Sequence, residues 1–211
     1  MHLHFVLIVV ISITWANAKT STNCREPVIL QDFDVTRVLG SWYEYSRQRN
    51  IFEDGCDCLT SEISAVDSDE FQVQSCCQLT KVSNETQKCN IGIEKVRLTD
   101  PEKKEASFRY HRPGVAVESH LWIIDTDYEN YMILDGCDNV SDEEQNEVFW
   151  ILSRNERISA KQVQKIDEIL RTHKVDRSKI IKQKQGVNIC TSKRPRKDTL
   201  SGKQKRKPQK N

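Results

Sequence analysis

The residues of this chain best suited to chemistry are its eight cysteines, at positions 24, 56, 58, 76, 77, 89, 137 and 190. A thiolate can attack an electrophile, ligate a metal or couple to a second thiol. Attack needs a spare thiol beside a base. An even count in an oxidising compartment leaves none, and the sequence holds no Ser-His-Asp set and no paired-carboxylate arrangement. Zinc favours C-x-x-C pairs and His at ligand spacing, which neither Cys56-Asp57-Cys58 nor Cys76-Cys77 provides. Four disulfides are therefore expected, with no catalytic residue, no metal and no cofactor.

Disulfides imply export, and the N-terminus fits that route. An apolar run from Phe5 to Ile13 ends at Ala16-Asn17-Ala18, the small-x-small pattern of a signal cleavage site. The alternative, a membrane anchor, has too short a run to span a bilayer comfortably. Residues 1–18 are read as a signal peptide, residues 19–192 as one secreted, extracellular domain and residues 193–211 as a tail. That tail carries nine Lys or Arg against the single Asp198, without apolar periodicity, and is expected to be disordered. It is a candidate grip for an anionic polysaccharide such as heparan sulfate or for an anionic membrane surface. The alternative is a solvated end trimmed near Lys193-Arg194-Pro195-Arg196-Lys197. Nucleic acid is not an expected partner outside the cell. Asn84-Glu85-Thr86 and Asn139-Val140-Ser141 are glycosylation sequons, so Asn84 and Asn139 are candidate acceptors. The sequence leaves the oligomeric state open.

Between signal and tail, β-rich runs alternate with turn signals. Strands are expected at 41–49, 58–66, 70–79, 88–98, 105–111, 119–125, 130–137 and 147–153. Connectors such as Asp54-Gly55, Asp67-Ser68-Asp69 and Pro113-Gly114 carry residues that preset or tolerate turn dihedrals. Eight antiparallel strands close well into a barrel wide enough for one small ligand, although strand count alone also admits a sandwich. Val163, Ile166, Ile169 and Leu170 form an apolar stripe at helical spacing, and Ser159 with Gln162 forms a capping box at its start. This helix is expected against the outer wall, with Lys161, Lys165 and Arg171 in solvent.

Gly40-Ser41-Trp42-Tyr43-Glu44 resembles the lipocalin G-x-W signature. Thr126-Asp127-Tyr128 resembles that family's second motif, and Phe149-Trp150-Ile151-Leu152-Ser153-Arg154 its third. Three motifs in order, followed by a closing helix, identify residues 24–190 as similar to lipocalins of the apolipoprotein D and insect bilin-binding branch. The resemblance implies an all-β, eight-stranded up-and-down barrel with one C-terminal helix outside. It implies a cavity for a small hydrophobic ligand such as a lipid, fatty acid, retinoid or bilin-type pigment. It further implies that Trp42 closes the barrel floor under a stacked Arg154, and that disulfides join Cys24 to Cys137 and Cys58 to Cys190.

Four cysteines then remain. Cys77 and Cys89 are symmetric about Ser83 and are expected to face each other across a hairpin, which leaves Cys56 with Cys76. Exchange of Cys76 with Cys77, or of Cys56 with Cys58, stays open. One member of the adjacent pair must face inward and narrow the cavity. Strand alternation proposes Trp150, Leu121, Ile123, Tyr131 and Ile133 as ligand contacts, with Tyr110 and Ile63. Glu44 shares the parity of Trp42, so it lies near the rim, is paired internally, or meets a basic or hydrogen-bonding ligand.

Overall fold

The computed structural model describes residue 24 and residues 28–50, 53–79, 87–89, 95–111, 115–141, 144–186 and 190, the side chains of 87–89 excepted. The expected signal segment, the basic tail and Asn84 lie outside the described residues. The strands are β1 (Gly40–Gln48), β2 (Cys56–Ala65), β3 (Glu70–Leu79), β4 (Gln87–Cys89), β5 (Lys95–Leu98), β6 (Ser107–Tyr110), β7 (Ser119–Thr126), β8 (Tyr131–Asn139), β9 (Gln145–Ser153) and β10 (Ile180–Lys182). A 3-10 turn at Val35–Val38 precedes β1, and helix α1 spans Ala160–Thr172.

The antiparallel ladders run β1-β2-β3-β5-β6-β7-β8-β9, and a β9–β1 ladder closes the ring. That closure makes the fold a barrel of eight staves rather than a sandwich and leaves no open edge in the ring. The stave expected as one strand at 88–98 is corrected to two short strands. β4 pairs Cys76 with Cys89, whereas β5 pairs Phe71 with Val96, so the two registers on β3 differ by two residues and one straight strand cannot satisfy both.

β10, absent from the sequence reading, is a strap on β1. β2 pairs with β1 only from Gly40 to Tyr43, and β10 takes over from Ser46 to Gln48. Between those ladders the Gln183 amide nitrogen donates to the Tyr45 carbonyl (3.0 Å) and the Gln185 side chain to the Glu44 carbonyl (3.1 Å), so backbone acceptors left by β2 are satisfied.

Two apolar clusters fill the molecule. Inside the ring, Phe33, Trp42, Phe71, Phe108, Leu121, Met132 and Leu152 pack together. Outside it, Ile124, Tyr131, Ile133, Phe149 and Ile151 receive Ile166 and Leu170 of α1. The helix begins with the full capping box of Ser159 and Gln162, and exposed Lys165 places its ammonium 5.1 Å from the Tyr131 ring centroid. Among the described residues no helix is long and apolar enough to cross a membrane.

Cys24 is bonded to Cys137 on β8, and Cys58 to Cys190 after β10. The third bond joins Cys56 to Cys77, which corrects the expected Cys56–Cys76 and Cys77–Cys89 pairs. Cys56 faces Leu79 across the β2–β3 ladder, and Cys77 lies two residues from Leu79 on the same face, whereas Cys76 points to the other side. Cys76 is itself disulfide-bonded, and the residue opposite it on β4 is Cys89. A register one residue away from the expected one decides the partition.

Candidate functional site

The floor of the barrel is built first. Gly40 has φ +93°, a conformation that costs glycine little, and turns the chain from the 3-10 segment into β1. Two residues on, Trp42 is fully buried, and its Nε1 donates to the Val38 carbonyl at 2.7 Å. The guanidinium carbon of Arg154 lies 3.7 Å from the Trp42 ring centroid. Its nitrogens donate to the carbonyls of Arg37 (2.8 Å), Leu39 (3.0 Å), Ser41 (3.1 Å) and Tyr128 (3.1 Å). One side chain thereby ties the 3-10 turn, the start of β1 and the β7–β8 turn together.

That last turn is held by its own side chains. Asp127 Oδ1 accepts from the backbone nitrogens of Glu129 (3.2 Å), Asn130 (2.8 Å) and Tyr131 (3.1 Å). Thr126 Oγ1 accepts from Tyr128 N (2.9 Å) and donates to the Tyr131 carbonyl (2.6 Å). Burial alone would raise the Asp127 carboxyl, but these donors and the Asn130 amide together hold it below its usual range.

Above the floor lies a cavity of about 100 Å³, within about 930 Å³ of atom-free space when its mouth is counted. Val35 and Val38 reach it from the 3-10 turn, and Leu59, Ser61 and Ile63 from β2. β3 adds Phe71, Val73 and Ser75, and Val96 and Phe108 follow from β5 and β6. Leu121, Ile123, Met132, Leu134, Trp150 and Leu152 complete the wall from β7 to β9. Such a lining excludes water from whatever fills it and favours apolar surface.

Polar groups converge in one corner. A bulge at Tyr45 resets β1 so that Glu44 faces Leu152 and Arg47 faces Trp150, both on inward positions of β9. The Arg47 guanidinium lies 2.5 Å from Glu44 Oε1, donates to the carbonyl of Glu53 at 2.6 Å, and stands 3.4 Å from Glu53 Oε2 through Nε. Glu53 also accepts from Asn50 Nδ2 (2.5 Å) and Trp150 Nε1 (3.1 Å). Glu44 is fully buried, and no described residue donates to its Oε2. Burial first, and then the neighbouring charge of Glu53, push its carboxyl up to about 8 against the pull of Arg47.

Trp150, Leu121, Ile123 and Ile63 thus lie on the cavity wall. Tyr131 and Ile133 do not, and their expected role is corrected. Met132 pairs with inward Leu152, so its neighbours point outward into the cluster under α1, where the Tyr131 hydroxyl donates to Asp125 at 2.6 Å. Tyr110 is buried but absent from the wall; its hydroxyl donates to Asp138 Oδ1 at 2.9 Å. Asn139, expected as a glycan acceptor, is buried, with Nδ2 donating to the Glu118 carbonyl at 2.6 Å and Oδ1 accepting from Gln145 at 2.8 Å. The amide a glycan would need is already engaged.

Met132, Leu134, Asn50 and Glu53 are among the wall residues that sequence reasoning missed. The first two followed from the parity error on β8. The other two sit in the β1–β2 connector, where no periodicity signals direction. Among the described residues no group of three or more His, Cys, Asp or Glu is arranged to hold a metal ion.

Comparison with known proteins agrees with this architecture. A model described as "Lipocalin / cytosolic fatty-acid binding protein family" matches residues 39–187. The chain is 26% identical over 176 residues to Lazarillo protein of Schistocerca americana, spanning 82% of this chain and 80% of that one. It is 26% identical over 157 residues to apolipoprotein D of Macaca fascicularis, spanning 74% and 79%. Insecticyanin of the tobacco hornworm Manduca sexta shares the fold with a TM-score of 0.62 at 22% identity, covering 79% of this chain and 88% of that one.

Proposed function

This chain belongs to the lipocalin / cytosolic fatty-acid binding protein family, and on that premise we propose that it is an exported carrier holding one small hydrophobic molecule inside its barrel. Lipocalins are typically binding and transport proteins rather than enzymes. The observation that carries the reading is the cavity itself, walled by apolar side chains from the 3-10 turn, β2, β3 and β5 to β9 and shut below by Trp42 and Arg154. Export is supported by the disulfides Cys24–Cys137, Cys56–Cys77 and Cys58–Cys190, which form and persist outside a reducing cytosol.

Ligand size follows from the wall. Cys56, Leu59 and Cys77 pack together, and Leu59 also lines the cavity, whose enclosed volume is about 100 Å³. A single aliphatic chain or a compact ring system suits this space better than a tetrapyrrole. Native mass spectrometry of the secreted, deglycosylated protein tests the proposal, together with uptake of the neutral fluorophore N-phenyl-1-naphthylamine. One bound apolar molecule, or probe uptake at one site per chain, is the expected result. A barrel that is empty and takes up no probe overturns it.

A further inference from the structure

We infer that the cavity is built for an apolar ligand bearing a protonated amine, seated on the unengaged oxygen of Glu44, and that it discriminates against carboxylic acids; this rests on the carrier reading above. The charge inventory makes the first case. Among the described residues lining the cavity, the ionisable ones are Glu44 and Glu53, with no Lys, Arg or His. The nearest cation, Arg47, donates through Nη1 to Glu44 and through Nη2 to the carbonyls of Glu53 and Cys56, and its Nε lies 3.4 Å from Glu53 Oε2 with no hydrogen-bond acceptor among the described residues. An entering carboxylate would meet the Glu53 carboxylate and, among the described wall residues, no Lys, Arg or His to pair with, a costly arrangement in a dry cavity.

The distribution of donors makes the second case. Glu53 is served by Arg47, Asn50 and Trp150, whereas Glu44 receives one bond at Oε1 and, among the described residues, none at Oε2. Once ionised, a buried carboxyl with an unused oxygen on a cavity wall is a high-energy acceptor until a donor arrives. The charged groups facing Glu44 are Arg47 on its own strand and Glu53 from the connector. β9 presents Leu152 opposite it, and the strap presents the Gln185 amide to its carbonyl. Arg47 alone of these groups is cationic and faces both acids, so an ammonium beside Glu44 supplies the positive charge that its ionised form lacks.

The proton balance is explicit. In the empty barrel near pH 7 Glu44 keeps its proton, because burial and Glu53 raise it to about 8. The amine enters already protonated, and Glu44 passes its own proton to the buffer. The product is an ammonium–carboxylate pair in which the ammonium donates to Oε2.

Octylamine, 1-octanol and octanoic acid, matched in chain length, should be competed against N-phenyl-1-naphthylamine on the full secreted protein at pH 7. The amine is expected to bind at least about tenfold tighter than the acid, with the alcohol between them. Glu44→Gln is expected to weaken the amine about tenfold while the alcohol and the probe still bind. Calorimetry of the unaltered protein in two buffers of different ionisation enthalpy should show close to one proton released per amine bound and none for the alcohol. That measurement decides the matter if the variant does not fold. An acid that binds as tightly as the amine, an amine preference that survives Glu44→Gln, or amine binding without proton release overturns the inference. Failure of the neutral probe to enter overturns the carrier reading itself, whereas probe uptake with equal binding of all three ligands overturns only the amine assignment.

Discussion

The guanidinium carbon of Arg154 lies over the Trp42 ring, 3.7 Å from its centroid, and the guanidinium nitrogens donate to four backbone carbonyls from three separate segments. Removing it leaves those acceptors without their charged donor and uncovers the indole. Arg154→Ala is expected to cost about 2–4 kcal/mol, combining lost charged hydrogen bonds with a cation–π contact. The midpoint of thermal unfolding should fall by roughly 5–15 °C. Arg154→Lys keeps the charge but not the fork, and should recover less than half of the loss. Equal stability of Arg154→Ala and the native protein would refute this account of the floor.

Glu44 makes stability depend on pH in an unusual direction. Its folded carboxyl titrates near 8 and the unfolded one near 4.5, so between those values the folded state holds a proton that the unfolded chain has released. Stability contributed by this group is complete below about pH 4.5 and declines as pH rises toward 8, by up to about 1.4 kcal/mol per pH unit in mid-window. His120, held below its usual value by burial, acts in the opposite sense up to about pH 6.5, so the informative quantity is the difference between native protein and Glu44→Gln. Urea unfolding at pH 5, 6, 7 and 8 measures it. A difference that does not change with pH would show that Glu44 is ionised throughout.

The Cys56–Cys77 bond closes a sequence separation of 21 residues. Replacing both cysteines by Ala should destabilise the protein by about 3 kcal/mol on the chain-entropy model. Because the pair packs with Leu59, which lines the cavity, the same double variant should also admit bulkier apolar probes than the native protein. Unchanged probe selectivity, measured by competition with ligands of graded size, would place the size limit elsewhere on the wall.

Gly136 sits where β8 passes closely between its neighbours. A Cβ there would lie 2.7 Å from the carbonyl oxygen of His120 and 2.9 Å from a methyl of Val148. The first is backbone in the β7–β8 ladder and cannot step aside without breaking register. Gly136→Ala is expected to cost about 1–3 kcal/mol, as overpacking does elsewhere. Chemical denaturation checks this, and a stabilised variant would be incompatible with the observed spacing.

Trp150 forms part of the cavity wall and donates to Glu53, while Trp122 stacks on His120 and Trp42 lies beneath Arg154. A ligand in the barrel should therefore alter the emission of Trp150 most. Trp150→Phe should remove most of the ligand-induced fluorescence change while preserving probe uptake within about threefold, since the aromatic body remains. A full signal in that variant would point to Trp42 as the reporter.

Much of this molecule was legible in the chain. Eight β-rich runs with turn residues between them announced an antiparallel all-β fold, because strand propensity and turn chemistry are local properties, and the three motifs implied that it closes as a barrel. Trp42, Arg154, Thr126 and Asp127 were legible as a set because their motifs stand in order, and the Ser159–Gln162 box marked the start of α1 through backbone groups only three residues apart. The wall positions Ile63 on β2, Leu121 and Ile123 on β7 and Trp150 on β9 also followed from simple alternation, which holds wherever a strand is regular.

Tertiary structure decided what alternation cannot reach. Glu44 and Arg47 stand three residues apart and would face opposite sides of a regular strand; only the bulge at Tyr45 turns both inward. Register, fixed by partners distant in sequence, sent Tyr131 and Ile133 under the helix and gave Cys56 to Cys77 instead of Cys76. A shift of one residue reverses the face of every side chain after it. The amino-acid sequence therefore determined that there would be a barrel with a Trp–Arg floor, while long-range pairing determined which carboxyl was left unsatisfied inside it.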